Sequence, residues 1–517
     1  MHKLLNKKHT GILLPLFSMS SDSDFGCGDT SSLIEWIDFA KEIGFDIIQI
    51  LPINEMPPET NCPYTSLTAF AIDPIYISIK DIENISKEIL TKIKSKDFKK
   101  IIKSIKQKSY IDYAEIRKIK YNLLWHQYNY FINNFKGSKE YQNFQSYKTE
   151  NEWWIKDYAI FRRLKDIYGW KSWTEWDDSF KNHNINKLSQ FEKEEEFYLD
   201  FFKYIQWELD KQFKKIKLKL NENNINLLGD IPFMVNQESA DVWSRQYDFK
   251  LDFETGAPPD AFSSEGQKWG LPSPNWDNQS ANNYEWWRLK IKKFQQIYDI
   301  VRIDHMVGFF RTWIIPKDKN LQPNFDILDP LMQEERGRKF LKTIISSTDM
   351  LVVAEDLGVI PEYVRKVLKE LDVCGYKVMR WEKEDGKYID PANYYPISLA
   401  TTSTHDTEPM KSWWKIIDKE EKIQFLKMIL SDHNFKKIPN RYEEIKDAVN
   451  NKILNSSSRL VIMSIQDIIA TQDRINLPGT TGNHNWSWRI NSNWQRFLEK
   501  HKKDFDFIKK EIKKRNA

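Results

Sequence analysis

The chain contains few cysteines and few histidines, and their scarcity limits the kinds of site that it can hold. Its 517 residues include nine histidines and three cysteines, which are Cys27, Cys62 and Cys374. Three widely separated cysteines argue against a disulfide framework and suit a reducing cytoplasm. No His-x-x-x-His or Cys-x-x-Cys pair occurs, so the common zinc-binding motifs are excluded.

Signals for membranes, nucleotides and nucleic acids are missing as well. No segment has the apolar core of a signal peptide or the length of a membrane span. The 78 basic and 74 acidic residues leave a net charge of only +4, without the concentrated basic stretch of a nucleic-acid-binding protein. Gly-x-Gly-x-x-Gly and Walker loops are also absent, so a nucleotide cofactor is not expected. We therefore predict a cytoplasmic protein with neither nucleic acid nor membrane as a partner.

Aromatic residues, by contrast, are plentiful. Phe, Tyr and Trp make up 14% of the chain, with 22 Tyr and 20 Trp among them. Surplus Trp and Tyr are consistent with stacking on sugar rings or on bases, although packing in a core is the commoner use of any single one. A chain of 517 residues is too long for one small core. It predicts either about two to four domains or one large barrel with insertions.

Short apolar segments typical of buried strands recur along the chain. The first two flank an amphipathic helix at residues 33–43, which Asp29 caps and Gly44 ends, and this order implies a parallel sheet. Strand-type segments lie near residues 12, 47, 228, 301, 351, 376, 400 and 462. Because a TIM barrel has eight strands, we predict an α/β protein with a (β/α)8 TIM barrel and inserted, mostly helical subdomains.

The pattern changes to successive amphipathic helices between residues 81 and 224. We interpret this region as a helical subdomain inserted into the barrel, so that residues 1–80 and 225–517 together form the catalytic barrel. Residues 244–283 are rich in Gly, Pro, Asp and Trp, and they include Trp269. Linkers seldom carry tryptophans, so this stretch is predicted to be an irregular lid or binding loop.

Another long loop follows Pro52 and carries Tyr64 directly after Pro63. Long structured loops at the carboxyl ends of barrel strands are usually functional. A packed surface loop is an equally good interpretation of these residues.

Three of the predicted strands end in acidic residues, namely Asp304, Glu355 and Asp406. The carboxyl ends of the strands in a parallel barrel converge on one face, so these carboxylates can reach a common point. Crowding drives their pKa values apart and leaves one carboxyl protonated and another ionised near neutral pH. Glycosidic-bond chemistry needs that division between a nucleophile and a general acid/base. Asp230 closes a further strand, and we expect it to have a supporting structural role.

The neighbours of each acid suggest its role. Arg302 lies two residues before Asp304, so both side chains point to the same face of the strand and the guanidinium would keep Asp304 ionised, as a nucleophile requires. A buried structural Arg–Asp pair is the alternative interpretation. Glu355 has no adjacent arginine and is the better proton donor, whereas Asp406, preceded by His405, could hold sugar hydroxyls. A metal site is the rival use of three acids, but the chain is poor in histidine and cysteine ligands.

The residues around these acids resemble a known family. Arg-Ile-Asp-His at residues 302–305, Ala-Glu-Asp-Leu-Gly at 354–358 and Thr-His-Asp at 404–406 resemble the 4-α-glucanotransferases (amylomaltases, or disproportionating enzymes) of glycoside hydrolase family 77. The resemblance runs from about Gly11 to Trp488. Supporting matches are Pro-Tyr at 63–64, Gly-Asp-Ile-Pro at 229–232, Ser-Ala-Asp-Val-Trp at 239–243, Pro-Asp-Ala-Phe-Ser at 259–263 and Gly-Gln-Lys-Trp-Gly at 266–270.

The resemblance implies a retaining transfer of α-1,4-glucan on a (β/α)8 barrel, without a metal or organic cofactor. By it, Asp304 is the nucleophile, Glu355 the acid/base and Asp406 the stabiliser of the transition state. It also implies maltooligosaccharide and α-1,4-glucan donors and acceptors, with glucose as an acceptor, and we expect a monomer or a weak homo-oligomer. The substrate-binding residues that we predict are Arg302, His405, Tyr64, Trp269, Asp230 and His305.

Two positions depart from the family pattern. The usual His-Pro-Thr-Ser is replaced by Leu-Pro-Leu-Phe-Ser-Met at residues 14–19, and Val307 replaces the usual arginine. Both changes look more like the plant cytosolic disproportionating enzyme and its bacterial relatives, so the donor and acceptor preference stays open. Two other functions fit the same residues, an α-glucan hydrolase on the same barrel and a non-catalytic glucan-binding protein.

Overall fold

Eight parallel strands form the centre of the structure, a computed structural model that describes residues 1–259, 265–430 and 438–516. Each strand is short and almost wholly buried, because the core lies on one side of it and helices cover the other. In chain order the strands are β1 (His9–Leu13), β2 (Ile47–Gln49), β3 (Asn226–Ile231), β4 (Ile300–Ile303), β5 (Leu351–Ala354), β6 (Gly375–Val378), β7 (Ser398–Thr401) and β8 (Leu460–Ser464).

The strands follow one another around a closed barrel. Seven parallel pairings join β6, β7, β8, β1, β2, β3, β4 and β5 in that order. The last gap, between β5 and β6, is closed by a parallel bridge between Val353 and Cys374 and by the hydrogen bond from the Ala354 N–H to the Cys374 carbonyl, at 2.8 Å. The prediction of a (β/α)8 TIM barrel is confirmed, with a strand at each of the eight expected places.

The helix after β1 follows the expected capping chemistry. It runs from Thr30 to Ile43, and the Asp29 side chain accepts the N–H of Ser32 at its start. Gly44 ends it with a φ of 95°, a left-handed conformation that costs glycine little. The strand-helix-strand unit is therefore formed by local signals in the sequence.

Helices surround the barrel and fill the long connection between β2 and β3. The α-helices of this connection are Lys87–Lys94, Lys96–Lys106, Tyr113–Phe135, Lys139–Glu150, Glu152–Ile167, Asp178–Lys181, Ile185–Glu194 and Glu196–Glu222. Those after β3 are Ala240–Ser244, Trp276–Ala281, Glu285–Phe294, Pro330–Ile345, Glu362–Glu370, Met410–Ile416, Lys419–Ile429, Lys446–Leu454, Ile465–Ile468, Trp494–Lys500 and Lys502–Asn516. Short 3-10 helices are Lys3–Asn6, Leu16–Ser18, Pro74–Tyr76, Ile79–Asp81, Trp173–Glu175, Gln246–Asp248, Met306–Phe309, Pro391–Asn393 and Tyr442–Glu444.

The prediction that residues 244–283 form an irregular stretch was wrong. They contribute two strands, Phe249–Ala257 and Gln267–Pro274, to a four-stranded antiparallel sheet that Trp313–Pro316 and Asn324–Phe325 complete. We call this sheet the accessory sheet. One of its pairings, between Phe249–Ala257 and Trp313–Pro316, joins segments about sixty residues apart. Register shifts between Phe249–Ala257 and Gln267–Pro274 interrupt the alternation of side chains, so the usual period of a strand is obscured. A further antiparallel pair is the two-residue ladder of Lys383–Glu384 with Lys387–Tyr388.

Part of one predicted motif lies outside the described residues. Most of the Pro-Asp-Ala-Phe-Ser motif at 259–263 falls in the gap at residues 260–264, and the second gap covers residues 431–437. Within the described part of the chain, none of the helices combines the length and the apolar character needed to cross a membrane.

Candidate active site

Neighbouring barrel strands bring Asp304 and Glu355 side by side. The last residues of β4 and β5, Ile303 and Ala354, are paired in register, and each acid is the next residue of its strand. Their backbones continue the ladder, because the Asp304 N–H donates to the Ile231 carbonyl at 3.1 Å and the Glu355 N–H donates to the Ile303 carbonyl at 3.0 Å. Both carboxyl groups therefore leave the barrel at its carboxyl-terminal mouth.

The guanidinium of Arg302 is shared between two carboxylates. Its Nη1 lies 2.9 Å from Oδ1 of Asp304 and donates to both oxygens of Asp230, at 2.7 and 2.8 Å. Burial tends to lower the pKa of Arg302, but Asp230 together with Asp304 outweighs it, so the pKa is raised and the group stays charged. Asp230 is buried, whereas a quarter of the Asp304 side chain is exposed. Asp230 thus fixes the guanidinium, and the guanidinium orients a carboxylate that a substrate can reach.

Glu355 has an environment that keeps a proton available near neutral pH. Burial raises its pKa to about 7, and the nearby Asp304 charge adds to this effect against the opposing charge of Arg302. Its two oxygens accept the backbone N–H groups of His305 and Leu357, both at 2.9 Å. These two hydrogen bonds fix the carboxyl group beside the nucleophile candidate.

Asp406 is held in the ionised state. Burial alone would raise its pKa, but the adjacent His405 and the side-chain amide of Asn476 outweigh burial and lower the pKa to about 2. Nε2 of His405 lies 3.1 Å from one oxygen of Asp406, and Nδ2 of Asn476 donates to the other at 2.7 Å. The pKa of His405 is raised, because the Asp406 charge outweighs the effect of its burial.

Tyr64 connects the two halves of the site. Its hydroxyl donates to Oδ2 of Asp230 at 2.6 Å and lies 3.0 Å from Nε2 of His405. The Tyr64 ring is stacked on the His405 ring, with centres 5.4 Å apart and planes 16° apart. Hydrogen bonds and ion pairs therefore run without a break from Asp304 to Asp406. The loop that carries Tyr64 reaches this site, which favours its functional interpretation.

His305 and Trp269 form the opposite side of the site. Trp269, on the strand Gln267–Pro274 of the accessory sheet, meets the His305 ring edge to face at 4.7 Å. His305 has a positive φ of 47°, and the Phe233 ring also packs against the His305 ring, with centres 5.4 Å apart. Burial lowers the pKa of His305 to about 4, so the imidazole is neutral in the physiological range. All nine residues predicted for the site are thus in one connected group.

The sequence did not indicate the contribution of residues 469–493. This segment lacks helix and strand, yet Asn476 binds Asp406 as described, and Arg474 donates to the Asp406 backbone carbonyl at 2.8 Å. Trp486 packs beside Tyr64 and His405, at 5.6 and 5.8 Å. Only Asn476, flanked by Ile475 and Leu477, and the two tryptophans Trp486 and Trp488 could have drawn attention to it.

Carboxylates in this site are partnered by arginine, histidine, tyrosine and backbone N–H groups. Over the described ranges, no cluster of three or more His, Cys, Asp or Glu side chains has the arrangement needed to hold a metal ion. The arrangement can place a charged carboxylate and a protonated carboxyl on the two sides of one bond.

Comparison with known proteins gives a consistent result. The sequence profile of a glycoside hydrolase family, described as 4-alpha-glucanotransferase, matches residues 14–494. The chain is 30% identical over 505 residues to the 4-alpha-glucanotransferase of Chlamydia caviae, covering 95% of this chain and 92% of the relative. It is also 30% identical over 518 residues to the enzyme of that name from Chlamydia pneumoniae, covering 97% and 95%.

A solved structure agrees with the barrel and its additions. Amylomaltase from Streptococcus agalactiae, in complex with acarbose, superposes with a TM-score of 0.84 at 26% sequence identity, and the match covers 99% of this chain and 100% of that one. The similarity therefore extends to the helices between β2 and β3 and to the accessory sheet, as well as to the barrel.

Proposed function

Because the chain belongs to the 4-α-glucanotransferase family, glycoside hydrolase family 77, it is an enzyme that transfers α-1,4-glucan units, and we propose that Asp304, Glu355 and Asp406 carry out the transfer. The observation that carries this assignment is the pairing of β4 with β5, which sets an arginine-paired Asp304 beside a Glu355 whose pKa is about 7. A nucleophile and a proton donor are thus neighbours on adjacent strands.

In the first step, the donor glycosidic bond breaks. Asp304 attacks the anomeric carbon while Glu355 gives its proton to the leaving glycosidic oxygen, and the product is a covalent β-glycosyl-enzyme. The shorter glucan leaves with that proton. Arg302 holds the attacking carboxylate in place. For a retaining pair we expect the two carboxyl groups to be about 5–5.5 Å apart.

In the second step, the now ionised Glu355 takes the proton from the 4-hydroxyl of an acceptor glucan. The acceptor oxygen attacks the anomeric carbon, the bond to Asp304 breaks, and a new α-1,4 bond forms with net retention. Glu355 is protonated again, so the enzyme returns to its starting state.

Asp406, His405 and Tyr64 act on the sugar whose anomeric carbon reacts. A carboxylate with a pKa of about 2 stays ionised throughout, so it can accept hydrogen bonds from sugar hydroxyls as positive charge develops on the ring. The stacked Tyr64 and His405 rings offer an aromatic surface for the same sugar.

Transfer exceeds hydrolysis when water is kept away from the glycosyl-enzyme. We propose that Trp269 and the accessory sheet cover the acceptor side, so that residues 244–283 act as a lid. With a more open site, the same acids on the same barrel would act as an α-glucan hydrolase.

The wider predictions are part of the same proposal. The family relationship supports maltooligosaccharides and α-1,4-glucans as donors and acceptors, and the acarbose complex of the streptococcal amylomaltase supports a bound oligosaccharide. We further propose glucose as an acceptor, a monomer or weak homo-oligomer in the cytoplasm, and a helical subdomain at residues 81–224 inserted between the barrel parts 1–80 and 225–517.

Incubation with maltotriose tests the proposed function. We expect glucose together with a series of longer maltooligosaccharides, and we expect Asp304→Asn to abolish both while glucan binding survives. Glucose and maltose alone would instead indicate a hydrolase. If maltotriose stayed unchanged, and if a mixture of maltose and glycogen stayed unchanged as well, the protein would be better explained as a non-catalytic glucan-binding protein.

A further inference from the structure

Lys290 is a buried amine next to the site that the two steps above do not use. It lies on the helix Glu285–Phe294 and is 1% exposed. Its Nζ donates to the backbone carbonyl of Pro232 at 2.6 Å and lies 4.2 and 4.9 Å from the ring centres of Trp287 and Trp286. Within the described ranges, Nζ has no carboxylate at ion-pair distance.

The carbonyl that Lys290 binds belongs to the residue directly after β3. The preceding residue, Ile231, accepts the N–H of Asp304 at 3.1 Å. The residue before that is Asp230, which fixes Arg302 at 2.7 Å. The end of β3 therefore holds Asp304 twice, once through its backbone and once through its guanidinium partner.

The residue after Pro232 also supports the site. The Phe233 ring packs against His305 at 5.4 Å and against Phe309 at 5.0 Å. Proline has no N–H to donate, so the Pro232 unit can be tethered only through its carbonyl. Lys290 provides that tether between Ile231, which binds the Asp304 backbone, and Phe233, which packs against His305.

Retaining an amine at this place is costly for the fold. Burial lowers the pKa of Lys290 to about 7, against the opposing charges of Asp241, Asp304 and Asp230. The two indole faces offset part of the cost of the charge. An apolar side chain of similar length would fill the space without this cost, so the hydrogen bond is the feature that the amine adds.

We propose that Lys290 is a positioning residue for the nucleophile, because its hydrogen bond to Pro232 fixes the end of β3 that holds Asp304. The proposal rests on the proposed function only for the identity of the nucleophile. Displacement of a reacting group by a fraction of an ångström slows the chemical step much more than it weakens substrate binding.

The test uses a donor whose cleavage requires no proton. α-Maltosyl fluoride has a good leaving group, so its initial rate of fluoride release reports attack by Asp304 without help from Glu355. We expect Lys290→Met to lower kcat for fluoride release by about tenfold or more, with KM changed by less than about twofold. Lys290→Arg keeps a donor and should recover most of the lost rate.

Lys293 gives a matched control on the same helix. It is 5% exposed, burial lowers its pKa to about 8, and its Nζ lies 4.9 Å from the ring of Trp154, which belongs to the helix Glu152–Ile167. Lys293→Met therefore makes the same chemical change away from β3. We expect it to shift the melting temperature by a similar amount and to leave kcat unchanged.

The outcomes separate this proposal from the proposed function. Two results would show that Lys290 is not a positioning residue. One is that Lys290→Met and Lys293→Met release fluoride at the same rate after correction for the folded fraction. The other is that Lys290→Arg is as slow as Lys290→Met. A wild-type enzyme that only hydrolysed maltotriose would contradict the transferase assignment, but fluoride release would still decide the role of Lys290.

Discussion

At the scale of single residues, the site separates the charge states of its carboxyl groups by giving each a different neighbour. Asp406, beside His405 and Asn476, has a pKa of about 2, whereas Glu355, whose carboxyl group is desolvated and accepts two backbone N–H groups, has a pKa of about 7. Asp406, which lies in the loop after β7, is therefore ionised at every physiological pH, and Glu355 can exchange its proton there.

The pKa of Glu355 predicts a pH dependence of donor cleavage. The first step needs the protonated carboxyl, so the rate of maltotriose cleavage should fall as the pH rises through about 7. Fluoride release from α-maltosyl fluoride needs no proton and should not follow that fall. Steady-state rates of both donors between pH 5 and 9 check this. Parallel profiles would show that the group titrating near pH 7 is not the proton donor.

Asn476 offers a prediction that the sequence alone did not suggest. Removing its amide in Asn476→Ala takes away one of the hydrogen bonds that lower the pKa of Asp406. We expect that pKa to rise and kcat to fall by about tenfold, while KM changes less, because the lost contact matters most in the transition state. The control is Asn455→Ala, because the exposed Asn455 amide donates to the carbonyl of Asn451 at the end of its own helix. Equal rates for both variants would contradict the role of Asn476.

The acids themselves could be predicted because strand ends in a parallel barrel converge by topology, whatever the loops do. The role of Asn476 could not be predicted, because this residue lies in the segment 469–493, which has neither helix nor strand. No period in the sequence fixes where such a side chain points, and only the folded barrel brings it to Asp406.

At the scale of elements, the accessory sheet is the part that the sequence least revealed. Residues 249–257 pair with 313–316 across the whole segment that contains the helix Glu285–Phe294 and β4. Such a non-local pairing leaves no local sequence signal, and the Gly and Pro residues in these strands indicate loops. The helix before β3 and the capped helix Thr30–Ile43 were predictable because their signals are local.

The accessory sheet should control access of water to the intermediate. The variant Trp269→Ala loses the contact with His305. With maltotriose as the substrate, we therefore expect the ratio of hydrolysis to transfer to rise several-fold. The ratio is measured as the reducing ends formed by hydrolysis relative to the longer maltooligosaccharides formed by transfer. Trp313→Ala is the matched control, since Trp313 lies in the same sheet but packs on Phe325 at 5.0 Å. An equal rise in both variants would mean that general loosening of the sheet, and not Trp269, admits water.

At the scale of the whole molecule, a buried ion pair joins the helical connection to the barrel. Glu55, in the loop after β2, accepts from Nε of Arg162 at 3.0 Å and from Tyr158 at 2.6 Å, and both residues lie on the helix Glu152–Ile167. The same loop continues to Tyr64. The position of the helices and that of the sugar-contacting tyrosine are therefore linked through one carboxylate.

Breaking this pair should destabilise the protein strongly. Arg162→Met leaves Glu55 buried without its cation, and we expect a loss of about 3–5 kcal/mol in the free energy of unfolding, measured by urea titration. Arg163→Met is the adjacent control, because Arg163 pairs with the partly exposed Glu195 and should lose only about 0–1 kcal/mol. In the double variant Glu55→Gln/Arg162→Met much of the loss should be recovered. Similar losses for Arg162→Met and Arg163→Met would contradict a special role of the buried pair.

The order and number of the barrel strands were predictable from the sequence, because all eight are apolar segments bounded by turns. The closure of the barrel was harder to predict, since β5 and β6 are joined by an isolated bridge between Val353 and Cys374 and by the Ala354–Cys374 hydrogen bond, and not by a ladder of paired residues. The sequence also indicated the helices between residues 81 and 224, but their attachment through Glu55 and Arg162 depends on contacts distant in sequence that no periodic pattern reveals.

The assignment of Asp304 as the nucleophile is tested most directly by trapping the glycosyl-enzyme. In Glu355→Gln the first step with α-maltosyl fluoride needs no proton donor, but the second step lacks its base, so the covalent intermediate should accumulate. After acid quenching and proteolysis, mass spectrometry should find one maltosyl group on the peptide that contains Asp304. A maltosyl group on another carboxylate, or no covalent adduct while fluoride is released, would contradict the account.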